Sequence, residues 1–114
     1  MERSAKEACI RRVARLSRGR HDAILWSRHA IARLALAALS RSTVEAALAD
    51  CEVIEDYPET HRALPDCLVL ATLEDNNPIH AVVAIDEANE RIFIVTIYRP
   101  EPARWIDERT RKPR

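Results

Sequence analysis

Glycine is almost missing from this chain: Gly19 is the only one in 114 residues. A phosphate-cradling loop needs several glycines to let backbone approach the ligand, so nucleotide hydrolysis on such a loop is excluded. Aromatics are scarce too, with two tryptophans, two tyrosines and one phenylalanine. That is too few for an interleaved platform on which single-stranded bases stack. The three cysteines, Cys9, Cys51 and Cys67, show no C-x-x-C spacing. Their odd number argues against a disulfide framework, and reduced buried thiols are expected. No apolar run approaches the roughly 18 residues of a membrane span, and the N-terminus opens on charged residues, not on an apolar signal core. No membrane contact and a cytoplasmic location are therefore expected. His21, His29, His61 and His80 follow no usual ligand spacing and do not pair with the cysteines, so neither a metal nor a cofactor is expected. A serine triad lacks its nucleophile-elbow spelling.

What is present suits one folded domain. Hydrophobic residues make up 47% and charged residues 32% of the chain, too apolar for disorder. Its length accommodates a single modest core. The formal net charge is zero, but the charge is unevenly placed. Arg3, Lys6, Arg11, Arg12, Arg15, Arg18 and Arg20 make the beginning basic, and Arg104, Arg109, Arg111, Lys112 and Arg114 do the same at the end. Between them lies an acidic waist that includes Glu45, Asp50, Glu52, Glu55, Asp56, Asp66 and Glu74. The expected organisation is a basic helical extension over residues 1–21, one α+β domain over 22–105 and a basic tail over 106–114.

Ala5, Cys9, Val13 and Leu16 recur at helical spacing, predicting a thinly amphipathic helix over residues 4–16 whose docking is open. Ser27 is placed to cap a second helix running to about residue 39, with Ala30, Ile31, Leu34, Ala35 and Ala38 toward the core. Ser42-Thr43-Val44-Glu45 spells a capping box and opens a third helix ending near residue 50. The period then changes to two. Strands are predicted at 51–55, 67–73, 79–85 and 91–98, with a loop over 59–66. Short links make the last three an antiparallel meander. The fold class expected is α+β, with N-terminal helices packed on an antiparallel β-meander sheet of about four strands.

His29 and Arg33 sit one helical turn apart and could together offer proton transfer and a phosphate clamp. The plainer reading is a boundary histidine beside a solvated arginine. His80 lies inside a strand, as a catalytic imidazole or a hydrogen-bonded structural one. Thr96 and Tyr98 share one face of the final strand, and Arg99 follows where Pro100 ends it. This cluster could bind phosphate and donate a proton, or be a cross-strand polar pair with an ordinary arginine.

Taken together, the segments Trp26–Leu34, Val53–Pro58, Leu64–Leu70, Pro78–Ala84 and Thr96–Pro100 resemble the domain of unknown function 4258 family over about residues 25–105. The resemblance implies a helix-helix-sheet fold similar to the RelE-like and BrnT-like toxins, many of them metal-independent ribonucleases paired with an antitoxin. It implies site positions at His29, Arg33, His80, Thr96, Tyr98, Arg99 and Pro100. Where the family usually has an arginine and a glycine, this chain has Ala37 and Ala38. The function expected is a toxin-like endoribonuclease cleaving RNA by 2′-hydroxyl attack, with His29, His80 and Tyr98 catalytic and Arg33, Thr96 and Arg99 binding substrate. RNA, a cognate antitoxin and a second copy of the chain are the expected partners. The competing expectation is a non-catalytic module that binds nucleic acid or protein.

Overall fold

The computed structural model describes residues 1–20, 22–59 and 62–113. Among these residues three α-helices and five strands run in the order α1 (Arg3–Leu16), β1 (Ile24–Trp26), α2 (Arg28–Ala37), α3 (Arg41–Leu48), β2 (Glu52–Asp56), β3 (Asp66–Thr72), β4 (Pro78–Asp86) and β5 (Arg91–Tyr98). A short 3₁₀ turn, Glu87–Asn89, joins β4 to β5. The sheet order is β1-β5-β4-β3-β2.

β2 to β5 form the expected antiparallel meander, but the sheet is mixed, because β1 adds a fifth strand parallel to β5. Three residues are too few to display an alternating pattern, so Ile24-Leu25-Trp26 carries no strand signal of its own. Its neighbour β5 supplies the template. The loop expected at 59–66 includes Thr60 and His61, which lie outside the described residues.

The sheet has two unlike faces. Ile79, Ala81, Val83 and Ile85 of β4 alternate onto the helix side, with Cys67, Val69 and Ala71 of β3. There they meet Cys9, Ile10, Val13 and Ala14 of α1, Ala30 and Leu34 of α2, and Val44 and Leu48 of α3. Strand β5 reaches the same core with Ile92, Ile94 and Ile97, a spacing of two and then three. A bulge permits this: Val82 pairs Thr96 while Val83 pairs Ile94, leaving Val95 as the extra residue. The Ser27 hydroxyl donates to the Val95 carbonyl at 2.8 Å, and its Oγ caps α2 by accepting from Ala30 N–H at 2.9 Å. One serine thus registers α2 against β5.

Helix α1 docks by polar as well as apolar contacts. Lys6 is buried, and its ammonium donates to Asp56 and to the carbonyls of Tyr57 (3.1 Å) and Asp66 (2.8 Å). Arg3 donates to the Val53 carbonyl at 2.5 Å, and Glu7 accepts from Val53 N–H at 2.9 Å. Arg11 donates to the Cys51 carbonyl at 2.7 Å. Much of the basic beginning is therefore engaged with the acidic waist inside the molecule.

Two helix ends depart from expectation. Helix α3 starts at Arg41 with Ser40 as its cap, accepting from Thr43 N–H at 3.2 Å, so Ser42 is not the capping residue. Glu45 is drawn away from a capping box by the Trp26 indole, which donates to it at 2.8 Å. Helix α2 stops at Ala37, because Ala38 adopts a left-handed conformation, φ 57° and ψ 45°. Leu39 N–H then bonds back to the Leu34 carbonyl and Ala38 N–H to that of Ala35, a Schellman closure.

Candidate functional site

The second face of the sheet is closed by residues 101–113. Trp105, 4% exposed, packs on Leu68 and Val82, with Ile54, Tyr57, Val95 and Tyr98 around it. The segment folds back on itself: Trp105 bridges Arg111, Ile106 N–H bonds Thr110, and Lys112 N–H bonds the Arg104 carbonyl. Asp107 tightens the turn by accepting from the N–H groups of Arg109 and Thr110, both at 2.8 Å. Arg109 pairs with Glu52 at 2.8 Å, and Arg111 grips Glu55 through two hydrogen bonds of 3.1 Å each. The Arg111 guanidinium also lies over the Trp105 ring, 4.5 Å from its centroid.

His80 is the pin beneath this segment. It is 0% exposed, with Nε2 2.6 Å from the Glu108 carbonyl and Nδ1 3.3 Å from the Tyr98 hydroxyl. Trp105 and Tyr98 both meet its ring edge-on, with centroids at 4.3 and 5.2 Å. A carbonyl can only accept, so Nε2 carries the proton and Nδ1 accepts from Tyr98. Burial pushes the His80 pKa down, against the opposing pull of the Glu108 carbonyl. Burial pushes the Tyr98 phenol up, with Arg111 opposing, so it stays protonated as a donor.

Between α2, β5 and this segment opens a cleft of about 230 Å³ lined by Arg33, Tyr57, Val82, Tyr98, Glu101, Arg104, Trp105 and Arg111. Arg33 is positioned by α2 and held by its Nε–H on the Ile97 carbonyl at 3.3 Å. Arg104 lies 3.9 Å from Glu101. Tyr57 donates to Glu55 at 3.2 Å. Burial raises the Glu55 pKa, but the hydrogen bonds and charge of Arg111, joined by the Tyr57 hydrogen bond, together outweigh it and hold the carboxyl below its ordinary value. Three guanidiniums and two phenols at one opening suit an anionic group with several acceptor oxygens.

Of the residues singled out from sequence, the cleft brings Arg33 and Tyr98 together. Thr96 pairs with Val82 on the same sheet face and does not line the opening. His29 is exposed in the first turn of α2 and is not among the lining residues. His80 lies sealed beneath Tyr98 and Trp105. Arg99 reaches the end of α2 instead, donating through Nε and Nη2 to the Ala37 carbonyl at 3.3 and 3.0 Å. It satisfies one of the carbonyls a helix end leaves unpaired. Among the described residues no group of three or more His, Cys, Asp or Glu side chains could hold a metal ion. His21 and His61, weighed as ligands, lie outside the described residues. The three cysteines are free and buried, and burial raises the thiols of Cys51 and Cys67 to about 12. No helix among the described residues is long and apolar enough to cross a membrane.

Sequence reasoning missed Tyr57, Glu101, Arg104, Trp105 and Arg111 as cleft residues. A tryptophan set in a charged tail was the available signal, since so large an apolar surface is seldom left in water.

These features define a class: an α+β domain with a mixed five-stranded sheet, helices on one face, and a guanidinium-and-phenol cleft closed by its own C-terminal segment. The chain belongs to the family described as a domain of unknown function, DUF4258, whose model matches residues 26–99. Neither the curated proteins nor the solved structures searched gave a match. The matched span carries Arg33, Tyr57, Val82 and Tyr98, while Glu101, Arg104, Trp105 and Arg111 come from beyond it.

Proposed function

We propose that the cleft binds the RNA backbone and that the protein is a toxin-like, metal-independent endoribonuclease, with a fold of the RelE-like or BrnT-like kind. The observation that carries this is the convergence of Arg33, Arg104, Arg111 and Tyr98 on one opening. Cleavage by 2′-hydroxyl attack needs a base for that hydroxyl, cations for the phosphorane and an acid for the departing 5′-oxygen. Glu101 is the carboxylate at the opening and takes the base role. Arg33 and Arg104 neutralise the phosphorane, and Tyr98, its O–H turned from His80 Nδ1 to the departing 5′-oxygen, supplies the proton, which yields a 2′,3′-cyclic phosphate. His80 acts through Tyr98, as a positioning residue. A cytoplasmic setting and a cognate antitoxin belong to the same proposal.

The test is cleavage of a labelled RNA pool in excess EDTA. Tyr98→Phe and Arg33→Ala should each slow it by roughly 10²-fold, while His29→Ala leaves the rate unchanged. A folded wild-type protein that cleaves no RNA sinks the enzymatic reading. The rival, a backbone-binding module without catalysis, is favoured by one observation: neither described imidazole lines the cleft. Binding to RNA that falls steeply with salt, without cleavage, would establish it.

A further inference from the structure

Helix α2 carries large apolar side chains on its outward side as well as its inward one, with Arg28 and His29 beside them. Ala30 and Leu34 enter the core. At about 100° per residue, the opposite arc carries Ile31, Ala35, Arg28, Ala32, Leu36 and His29, all exposed. Ile31 is 46% and Leu36 76% exposed, two of the four large hydrophobics left in water among the described residues. A surface helix normally turns charged and polar residues outward, and one that is apolar all round belongs in an interior. Among the described residues nothing covers this arc.

We infer that a second copy of the chain covers it, with α2 packed antiparallel on α2 about a two-fold axis at the level of Arg33 and Leu34. An isologous contact requires a patch that is complementary to itself, and this one is. In that register Ile31 faces Leu36 and Ala32 faces Ala35. The alanines let the helix backbones approach closely at the centre, and the larger side chains close both flanks. The charges at the helix ends favour the antiparallel direction. Helix α2 has no acidic residue in its first turn and no basic residue in its last, so Arg28 and His29 sit at the positive end of their own helix dipole. Antiparallel pairing moves them to the negative end of the other copy. Parallel pairing would stack like charges instead.

Helix α2 has ten residues, about 15 Å of contact, which is less than the roughly 1,200 Å² interface of a standard stable complex needs. The dimer is therefore weak and concentration-dependent. The mass of the chain in solution is read without RNA, so the dimer stands or falls independently of any RNA activity.

Sedimentation of the full chain from micromolar to millimolar concentration is the test. The mean mass should climb from 13.0 kDa toward twice that value. Leu36→Glu, at an exposed position, should leave the circular dichroism unchanged and raise the dimer dissociation constant at least tenfold, about what removing an interface anchor does. Ala32→Cys should cross-link through a short bis-maleimide, the native thiols being buried. Mass fixed at one chain throughout overturns the inference. So does a dimer indifferent to Leu36→Glu, or one that Ala32→Cys cannot trap.

Discussion

Lowering the pH from 7 to 5.5 should destabilise the fold through His80, by at most about 1 kcal/mol. Unfolded, this histidine protonates near pH 6.5. Folded, burial holds its pKa below that value, and both ring nitrogens are committed to partners suited to the neutral form. Between the folded pKa and 6.5 the unfolded chain binds more protons, so stability falls as pH falls through this window. One proton's difference between the states bounds the slope at about 1.4 kcal/mol per pH unit, and the loss by pH 5.5 at about 1 kcal/mol. Glu55, Glu59, Asp75, Asp86 and Asp107 have lowered pKa values, and their contributions vanish only at more acidic pH. The readout is the midpoint of thermal unfolding, followed by tryptophan fluorescence because Trp105 rests on the His80 ring. A drop of up to about 4 °C is expected for a domain of this size. His80→Gln, which keeps a donor and an acceptor but cannot titrate, should abolish the slope. A flat profile in the wild type, or an equal slope in His80→Gln, would refute the assignment of a buried neutral imidazole.

Ala38→Gly should stabilise the fold by about 0.5–1 kcal/mol, because a left-handed backbone strains alanine more than the extra chain entropy of glycine costs; denaturant melts measure it. Trp105→Ala removes the centre of the second core and should cost about 3 kcal/mol in the same melts. Lys6→Ala empties a buried volume and leaves the Asp66 carbonyl without its donor, and should cost about 2–4 kcal/mol, whereas Lys6→Met, which refills the volume, should cost less. Arg104→Ala should weaken RNA binding evenly across sequences and lower its logarithmic salt slope by about one.

The helices and the meander were legible because each runs long enough to display its period, as Ile79, Ala81, Val83 and Ile85 do in β4. Strand β1 was not, since its three residues acquire meaning only beside β5. The bulge at Val95 was hidden as well: Ile92 to Val95 read as apolar on both faces, which conceals a shift of register. For the site, Arg33 and Tyr98 were found because helix and strand periodicity fixes which way a side chain points. Arg104 and Arg111 were missed because a tail has no period, and its docking depends on pairings across more than fifty residues, such as Arg111 with Glu55. The uneven charge was noticed, but its first use is internal: both basic ends fold onto the acidic waist. Arg99 illustrates the same limit, its charge being engaged by the Ala37 carbonyl.

Val53 sits on the sheet's outer edge, where its N–H and C=O meet Glu7 and Arg3 of α1 in place of another strand. Two side chains thus imitate the backbone of a neighbour that does not exist. An edge so disguised offers no template for recruiting strands from other molecules. Removing α1 would do more than thin the core, because it would expose a sheet margin ready to grow, and turn a self-limited sheet into a seed for aggregation.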